Sequence, residues 1–338
     1  MKEFGSDFHL INDFSSYNFQ LEKTQKLQYY ADGRQALFNL LIHNSWLRIW
    51  MPEYFCYDVI KSIIKTGIEV LFYSDFPTQN DLSIISGLSF KEKDVLLRIN
   101  YFGLRDTRSN IGIPVDVIED HSHDLSSAWC LQSDADYCIA SIRKTLPLPE
   151  GGILWSPKGN KLPKNPLSTE ENENLVYKRL SAMLLKKMYL NGKFNNKNYF
   201  RNLYIKTEEM FVDLPISAMS SINLALLNTI DVAKWDKIKK NNWTFLTQSL
   251  KDLCNFLLPE KIETTTPFSL VLVFNNESER DRLKEKLIEK SIFPAVLWEL
   301  PVSCNKKLNI FLSIHCDGRY NLDDMKDLVK IINRVLKK

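Results

Sequence analysis

A hydroxyl and an amine stand three residues apart in Ser141-Ile142-Arg143-Lys144, and Glu150-Gly151-Gly152 follows closely. Just upstream, the apolar Val117-Ile118 runs into Glu119-Asp120-His121-Ser122-His123. One apolar run ends in acids, and the next ends in Ser-x-x-Lys ahead of a glycine pair. This order suits a pyridoxal 5'-phosphate (PLP) site. Such a site needs a lysine amine for the cofactor aldehyde, a carboxylate facing the pyridine nitrogen, and donors around the phosphate. Lys144, Asp120 and Ser141 have the required chemistry in the required order.

Each residue also has a plain structural reading. A lysine after a strand is usually a solvated charge, but Lys144 follows an apolar run and precedes Pro147, Pro149 and Gly151-Gly152. Asp120 either caps a helix or holds a pyridine nitrogen protonated. His123 either donates to the cofactor's phenolic oxygen or is a locally satisfied histidine. Gly33, Arg34 and Gln35 open a helical pattern, where free backbone N–H groups and the helix dipole favour an anion. A plain helix start reads the same way. His121, His123 and Asp124 lack a further ligand at a recognised metal spacing, so no metal is expected.

The elements that must position these groups are short. Strands are expected at Leu47 to Met51, Glu69 to Tyr73, Val95 to Asn100, Val115 to Ile118, Tyr137 to Ala140 and Gly152 to Trp155. Helices are expected at Gln35 to Ile42 and Tyr57 to Lys65. Apolar strands that end in polar residues, with helical segments between the earlier ones, indicate an α/β sheet whose carboxyl ends collect ligand-binding groups. Residues 5–30 read as an aromatic surface arm and 157–174 as a loop. Leu175 to Leu190 reads as a helix, Asn191 to Asn198 as a polar insert, and Ala218 to Leu253 as mostly helical. After Leu257-Leu258-Pro259 come a strand at Ser269 to Phe274, a helix at Glu279 to Lys290, a strand at Leu308 to Ile314 and a closing amphipathic helix from Asp323 to Leu336. The domain division is therefore 1–256, a large cofactor-binding unit, and 257–338, a small C-terminal α+β unit.

Composition bounds the partners. The chain has 338 residues, 44% hydrophobic and 25% charged, with a net charge of +3. It can bury a sizeable core without disulfides or metals. Its Lys and Arg are scattered among acids, so nucleic acid is not an expected partner. Cys56, Cys130, Cys138, Cys254, Cys304 and Cys316 form no Cys-x-x-Cys pair, which fits free thiols in a reducing compartment. No apolar run reaches the roughly 20 residues that span a membrane. A cytoplasmic location is expected.

Together these segments resemble the DegT/DnrJ-type sugar-nucleotide aminotransferases of PLP fold type I, over most of the chain. Asp32-Gly33-Arg34-Gln35-Ala36-Leu37 resembles the family's phosphate-binding turn. Met51-Pro52-Glu53-Tyr54-Phe55-Cys56 resembles its Pro-aromatic segment beside the cofactor ring, with the ring-stacking position at or near Cys56. Tyr101-Phe102-Gly103 resembles the strand end before the acid, and Glu119 to His123 its Glu-Asp-x-(Ala/Ser)-His motif. Lys144 and Gly151-Gly152 have the family's lysine-to-glycine spacing. Pro294-Ala295-Val296-Leu297-Trp298 and the final helix resemble its C-terminal domain. The resemblance implies a large, mainly parallel sheet domain with a smaller C-terminal α+β domain. It implies a homodimer with shared active sites, and amino transfer, with glutamate the expected donor, to a keto group of a nucleotide-linked sugar in polysaccharide biosynthesis. Two departures stand out. The family has more residues between the serine and the lysine, and its Asn-x-Arg contact to the neighbouring subunit is replaced here by Asp213-Leu214-Pro215-Ile216-Ser217, with Ser217 the candidate substitute. Alternatives of the same fold are a PLP-dependent sugar dehydratase and a non-catalytic binding or scaffold protein.

Overall fold

The apolar cores Val95-Leu96-Leu97, Val117-Ile118 and Tyr137 to Ala140 have no polar alternation to give to water, so they form the middle of a sheet covered on both sides. All six residues of Asp94–Ile99 and all four of Tyr137–Ala140 are buried. The computed structural model describes residues 3–11, 17–79, 81, 83–298 and 310–336. Its strands are β1 (Phe4–Gly5), β2 (Gln28–Tyr30), β3 (Arg48–Pro52), β4 (Glu69–Tyr73), β5 (Asp94–Ile99), β6 (Asp116–Asp120), β7 (Tyr137–Ala140), β8 (Gly152–Trp155), β9 (Leu270–Val273), β10 (Ile292–Phe293) and β11 (Phe311–Ile314). Seven of them form one sheet in the order β2-β8-β7-β6-β5-β3-β4. Neighbours are parallel from β7 through β4, and β8 alone runs against the rest. The carboxyl ends of β5, β6 and β7 therefore lie side by side on one edge.

Helices cover both faces. The helix Gly33–Asn44 starts where Asp32 accepts a hydrogen bond from the Gln35 N–H at 2.8 Å, and it ends at Ser45 in the left-handed region. Glu170–Leu190 is capped by Thr169 and carries three acids in its first turn, favourable to the helix dipole. It starts earlier than its apolar spacing predicts for that reason. A second helix, Lys197–Asp213, was not anticipated from the sequence. It packs back on Glu170–Leu190 through Phe200 and Tyr204 against Ala182 and Met183. The region 218–253 is two helices, Ser221–Leu227 and Val232–Leu250, each with its own side-chain cap.

The N-terminal segment differs most from expectation. β2 pairs with β8 as the outer strand of the main sheet, and β1 pairs with β10. Phe4, Phe19, Leu21 and Tyr30 are buried on their own chain. The aromatic content of this segment therefore gives no reason to invoke a second subunit. The C-terminal core of β9, β11 and the helix Leu322–Leu336 also takes in Phe4, Trp243, Leu246 and Leu250, all from before residue 257. Cys304 and most of the expected strand start at Leu308 lie outside the described residues.

One buried acid ties the helices to the sheet. The Glu150 carboxylate accepts from the Ser220 N–H at 2.7 Å and from Asn172 Nδ2 at 2.8 Å. Burial pushes it up from 4.5 to about 7. A carboxyl raised in the folded state stabilises it fully below its unfolded value and loses that contribution as pH rises through about 7. The unfolding free energy from urea titrations should therefore fall between pH 5 and pH 8 by an amount on the order of 3 kcal/mol. Glu150→Gln should flatten that fall, and an unchanged profile would exclude Glu150 as its source.

Candidate active site

Three strand ends deliver the groups singled out in the sequence. Asp120 ends β6 opposite Ile139 of β7. The turn after it is stitched to the lysine segment. Ser122 Oγ accepts from the Ser141 N–H at 2.8 Å, and Thr145 Oγ1 donates to the Ser122 carbonyl at 3.1 Å. Ile142–Lys144 then forms a single 3-10 turn, closed by the Lys144 N–H on the Ser141 carbonyl at 3.2 Å. Asp120 is 6% exposed, and its Oδ1 accepts from the Ser122 N–H at 2.8 Å. Lys144 makes no ion pair or side-chain hydrogen bond among the described residues. Its Nζ lies 5.8 Å from the centre of the Trp298 ring.

His123 is the most constrained member. Its Nδ1 accepts from the Phe102 N–H at 3.1 Å. Its ring lies near parallel to Phe102 and Trp298, at 5.7 and 5.4 Å, and 4.7 Å from Phe268. Burial, then the nearby cations Lys144 and Lys239, hold its pKa well below the usual histidine value. The ring is neutral, and because Nδ1 accepts, the proton sits on Nε2. That Nε2 is buried and has no partner among the described residues. A buried donor left unpaired is costly and marks a place for an acceptor.

The phosphate candidates converge as well. A Cβ on Gly33 would sit 3.0 Å from both Cβ and N of Ser141, so only glycine lets the helix start lie against the end of β7. A Cβ on Gly152 would overlap the Asp32 carbonyl, so the glycine pair after the lysine serves the same close approach. Arg34 Nε and Nη1 are buried without partners beside this turn. Gln35 has another task. Its side chain donates to the Pro215 carbonyl at 2.9 Å and accepts from the Ser217 N–H at 2.9 Å, and its own N–H is bound to Asp32. Ser217 is fully buried. Its Oγ accepts from the Thr169 N–H and donates to the Ala218 carbonyl, so it ties chain segments together instead of reaching outward.

Cys56 is half-buried at the N-terminus of the helix Tyr57–Ile64. The ring that faces the Lys144 amine is Trp298 from the C-terminal segment, seated among Tyr54, Phe55 and Tyr101. Tyr54 Oη donates to the Leu297 carbonyl at 2.6 Å and helps fix that placement. Trp298, Phe102 and Phe268 are the wall residues that sequence reasoning missed as functional. Beneath the site, His121 lies between Glu119 at 3.2 Å and Asp124 at 3.1 Å. Glu119, His121 and Cys138 bring three metal-ligating atom types within 4.8 Å. Both imidazole nitrogens already face carboxylates, which is the geometry of a buried ion pair.

Nearly the whole chain superposes on solved aminotransferases. A DegT DnrJ EryC1 StrS aminotransferase from Brucella abortus matches with a TM-score of 0.60 and 13% identity, covering 94% of this chain and 87% of that one. PseC of Helicobacter pylori, an aminotransferase in pseudoaminic acid biosynthesis, matches with a TM-score of 0.64 and 12% identity, over 99% and 100% of the two chains. The chain has the PLP fold type I architecture. Spr1654 of Streptococcus pneumoniae, a putative sugar aminotransferase in its PMP form, matches with a TM-score of 0.61 and 12% identity over 94% and 89%. No family model and no curated protein matches the sequence. Among the described residues, no helix is long and apolar enough to cross a membrane.

The residues present fit PLP. An unpaired amine, an unpaired buried Nε2–H, an unpaired arginine and a glycine-built cradle beside Ser141 surround one strand-end edge. The acid Asp120 lies on the same edge.

Proposed function

We propose that this chain is a PLP-dependent aminotransferase that moves an amino group, with glutamate the expected donor, to a keto group of a nucleotide-linked sugar. The observation that carries the reading is Lys144, an amine with no acid partner among the described residues, held at the same sheet edge as Asp120 and the His123 Nε2–H that has no partner among them. Bound there, PLP would supply an aldehyde to carry the amino group and a ring to withdraw electrons. Lys144 would hold the aldehyde carbon and move the proton at the reacting carbon. Asp120 would keep the pyridine nitrogen protonated, and His123 Nε2 would donate to the phenolic oxygen. Gly33 and Arg34 at the helix start, with Ser141, would hold the phosphate. Gln35 positions the 214–217 segment that borders this cradle. Trp298 and its aromatic neighbours exclude water from the face above His123.

The direct test loads the purified protein with PLP, reduces it with borohydride and maps the labelled peptide. Label on Lys144 is expected. Label on Lys239 or Lys186, lysines more deeply buried than Lys144, would overturn the assignment. Lys186 is the sharper rival, because burial and then Arg319 lower its pKa to about 8. Amino transfer from glutamate to nucleotide-linked keto sugars separates the reading from a dehydratase or a scaffold. The homodimer rests on the family resemblance, and light scattering is expected to give twice the 39.4 kDa chain mass. A fully active monomer would remove both the dimer and the shared site.

A further inference from the structure

The residue before the lysine lines the same cleft as the lysine itself. This cleft, of about 360 Å³, is lined by Lys144 and Arg143 on one side and by Arg179, Tyr204 and Glu208 of the helical hairpin on another. Arg143 and Arg179 are brought together by a single acid. Glu208 takes Arg143 in a two-point contact at 2.9 and 3.1 Å and Arg179 at 2.6 Å. The three members differ in freedom. The side chains of Arg143 and Arg179 are 16% and 7% exposed, whereas that of Glu208 is 46% exposed. Arg143 stacks on Phe211 at 4.6 Å. Arg179 lies over Tyr204 at 5.4 Å and donates to Thr207 Oγ1 at 3.1 Å. The two guanidiniums are thus fixed by packing that does not depend on the acid. The acid is the member open to water. Asp7 is the other acid on the cleft, 3.8 Å from Arg179 and largely solvated.

We infer that Arg143 and Arg179 form an anion-recognition site one residue from the reactive lysine, and that Glu208 occupies it as an exchangeable internal carboxylate. The ligand is a planar or tetrahedral oxyanion, either a carboxylate of the amino donor or a phosphate of the nucleotide-linked acceptor. Two preorganised guanidiniums bind such groups through paired N–H donors. Burial raises the Glu208 pKa, but Arg143 and Arg179 outweigh that and hold it at about 2, so the competitor stays ionised at any working pH. The use of this site in catalysis rests on the function proposed above; its binding of anions does not.

Calorimetric titration of the cofactor-free protein with glutarate and, separately, with UDP tests the inference. Glu208→Gln should tighten binding at least fivefold by removing the competing charge while keeping an acceptor for the arginines. Arg179→Gln and Arg143→Gln should each weaken binding at least tenfold. Binding of glutarate alone assigns the site to the amino donor, and binding of UDP alone assigns it to the acceptor phosphates. The inference is overturned if neither probe binds the parent or Glu208→Gln, or if Glu208→Gln weakens binding or leaves it unchanged. A folded Arg179→Gln variant with parental affinity overturns it too. Should an arginine variant fail to fold, the Glu208→Gln result decides. If these affinities shift as stated but borohydride label misses Lys144, the functional proposal fails and the anion site stands. Label on Lys144 without anion binding gives the reverse.

Discussion

Lys144→Ala is expected to lower amino transfer by roughly 10,000-fold, because it removes both the covalent attachment point and the group that moves the proton. The variant should still take up PLP, since Gly33, Arg34, Ser141, Asp120 and His123 are untouched. It should lose the absorbance band of lysine-bound cofactor and show free-aldehyde absorbance instead. Among the described residues the Lys144 side chain has no ion pair or hydrogen bond to lose, so the thermal midpoint of the cofactor-free protein should be nearly unchanged. The combination of retained fold, retained uptake and lost turnover identifies a reacting amine. Parental turnover in the variant would eliminate Lys144, and the PLP assignment would then pass to Lys186 or Lys239.

His121→Leu is expected to have the largest effect on stability. His121, Glu119 and Asp124 are all fully buried. Burial opposes a charge on the imidazole, but the groups around it, Cys130 and Asp124 foremost, outweigh burial and hold its pKa well above the usual 6.5. The Cys130 thiol is itself pushed well up by burial and is neutral, so the carboxylates are the charged partners, although burial raises Asp124 above the usual carboxylate value and leaves Glu119 the firmer anion. Glu119 is correspondingly held low against burial by its bond to His121. Removing the imidazolium leaves carboxylates in the core without their cation. Breaking such a pair costs about 3–5 kcal/mol, a large part of the 5–15 kcal/mol that holds a typical domain folded. The thermal midpoint should drop on the order of 10 °C. Adding Glu119→Gln and Asp124→Asn to the leucine variant should restore part of the loss, because the uncompensated charges disappear with the cation. A drop below about 1 kcal/mol in the single variant would mean the cluster is neutral. Since the histidine value is raised, its contribution is complete below pH 6.5 and fades only as pH climbs through the raised value on the alkaline side.

The strand-end chemistry was legible because it is local. Asp120, His123, Ser141 and Lys144 each follow a buried run within a few residues, and strand ends in a parallel sheet share an edge. Gly33 was legible as a helix start, though its contact with Ser141 is not visible from composition. What escaped the sequence was long-range. β2 is three residues inside a polar, aromatic stretch, and its partners, β8 and a bridge from Tyr30 to Ala218, are more than a hundred residues away. Trp298 gains its place over His123 through packing with Tyr54 and Phe55, which periodicity does not reveal. The helix Lys197–Asp213 did leave a signal: Asn196 caps it, and Phe200, Tyr204, Thr207 and Phe211 recur at helical spacing. The surrounding Lys, Asn and Glu residues masked it. Gln35 is read from the sequence as a backbone donor at a helix start, and Ser217 as a stand-in for the family's Asn-x-Arg contact. The fold uses both to tie chain segments together.

The pairing of β2 with β8 also sets the order of assembly. The turn at Asp32-Gly33 is wedged against Gly152 and Ser141, so the phosphate cradle has no wall until a segment some 120 residues later arrives. On a growing chain the helix Gly33–Asn44 can coil early, but the cradle closes only when the outermost strand docks across that separation. Contacts of such sequence distance are slow to form. Cofactor capture should therefore lag behind the formation of helical structure during refolding, and its appearance would time the closing of the sheet edge.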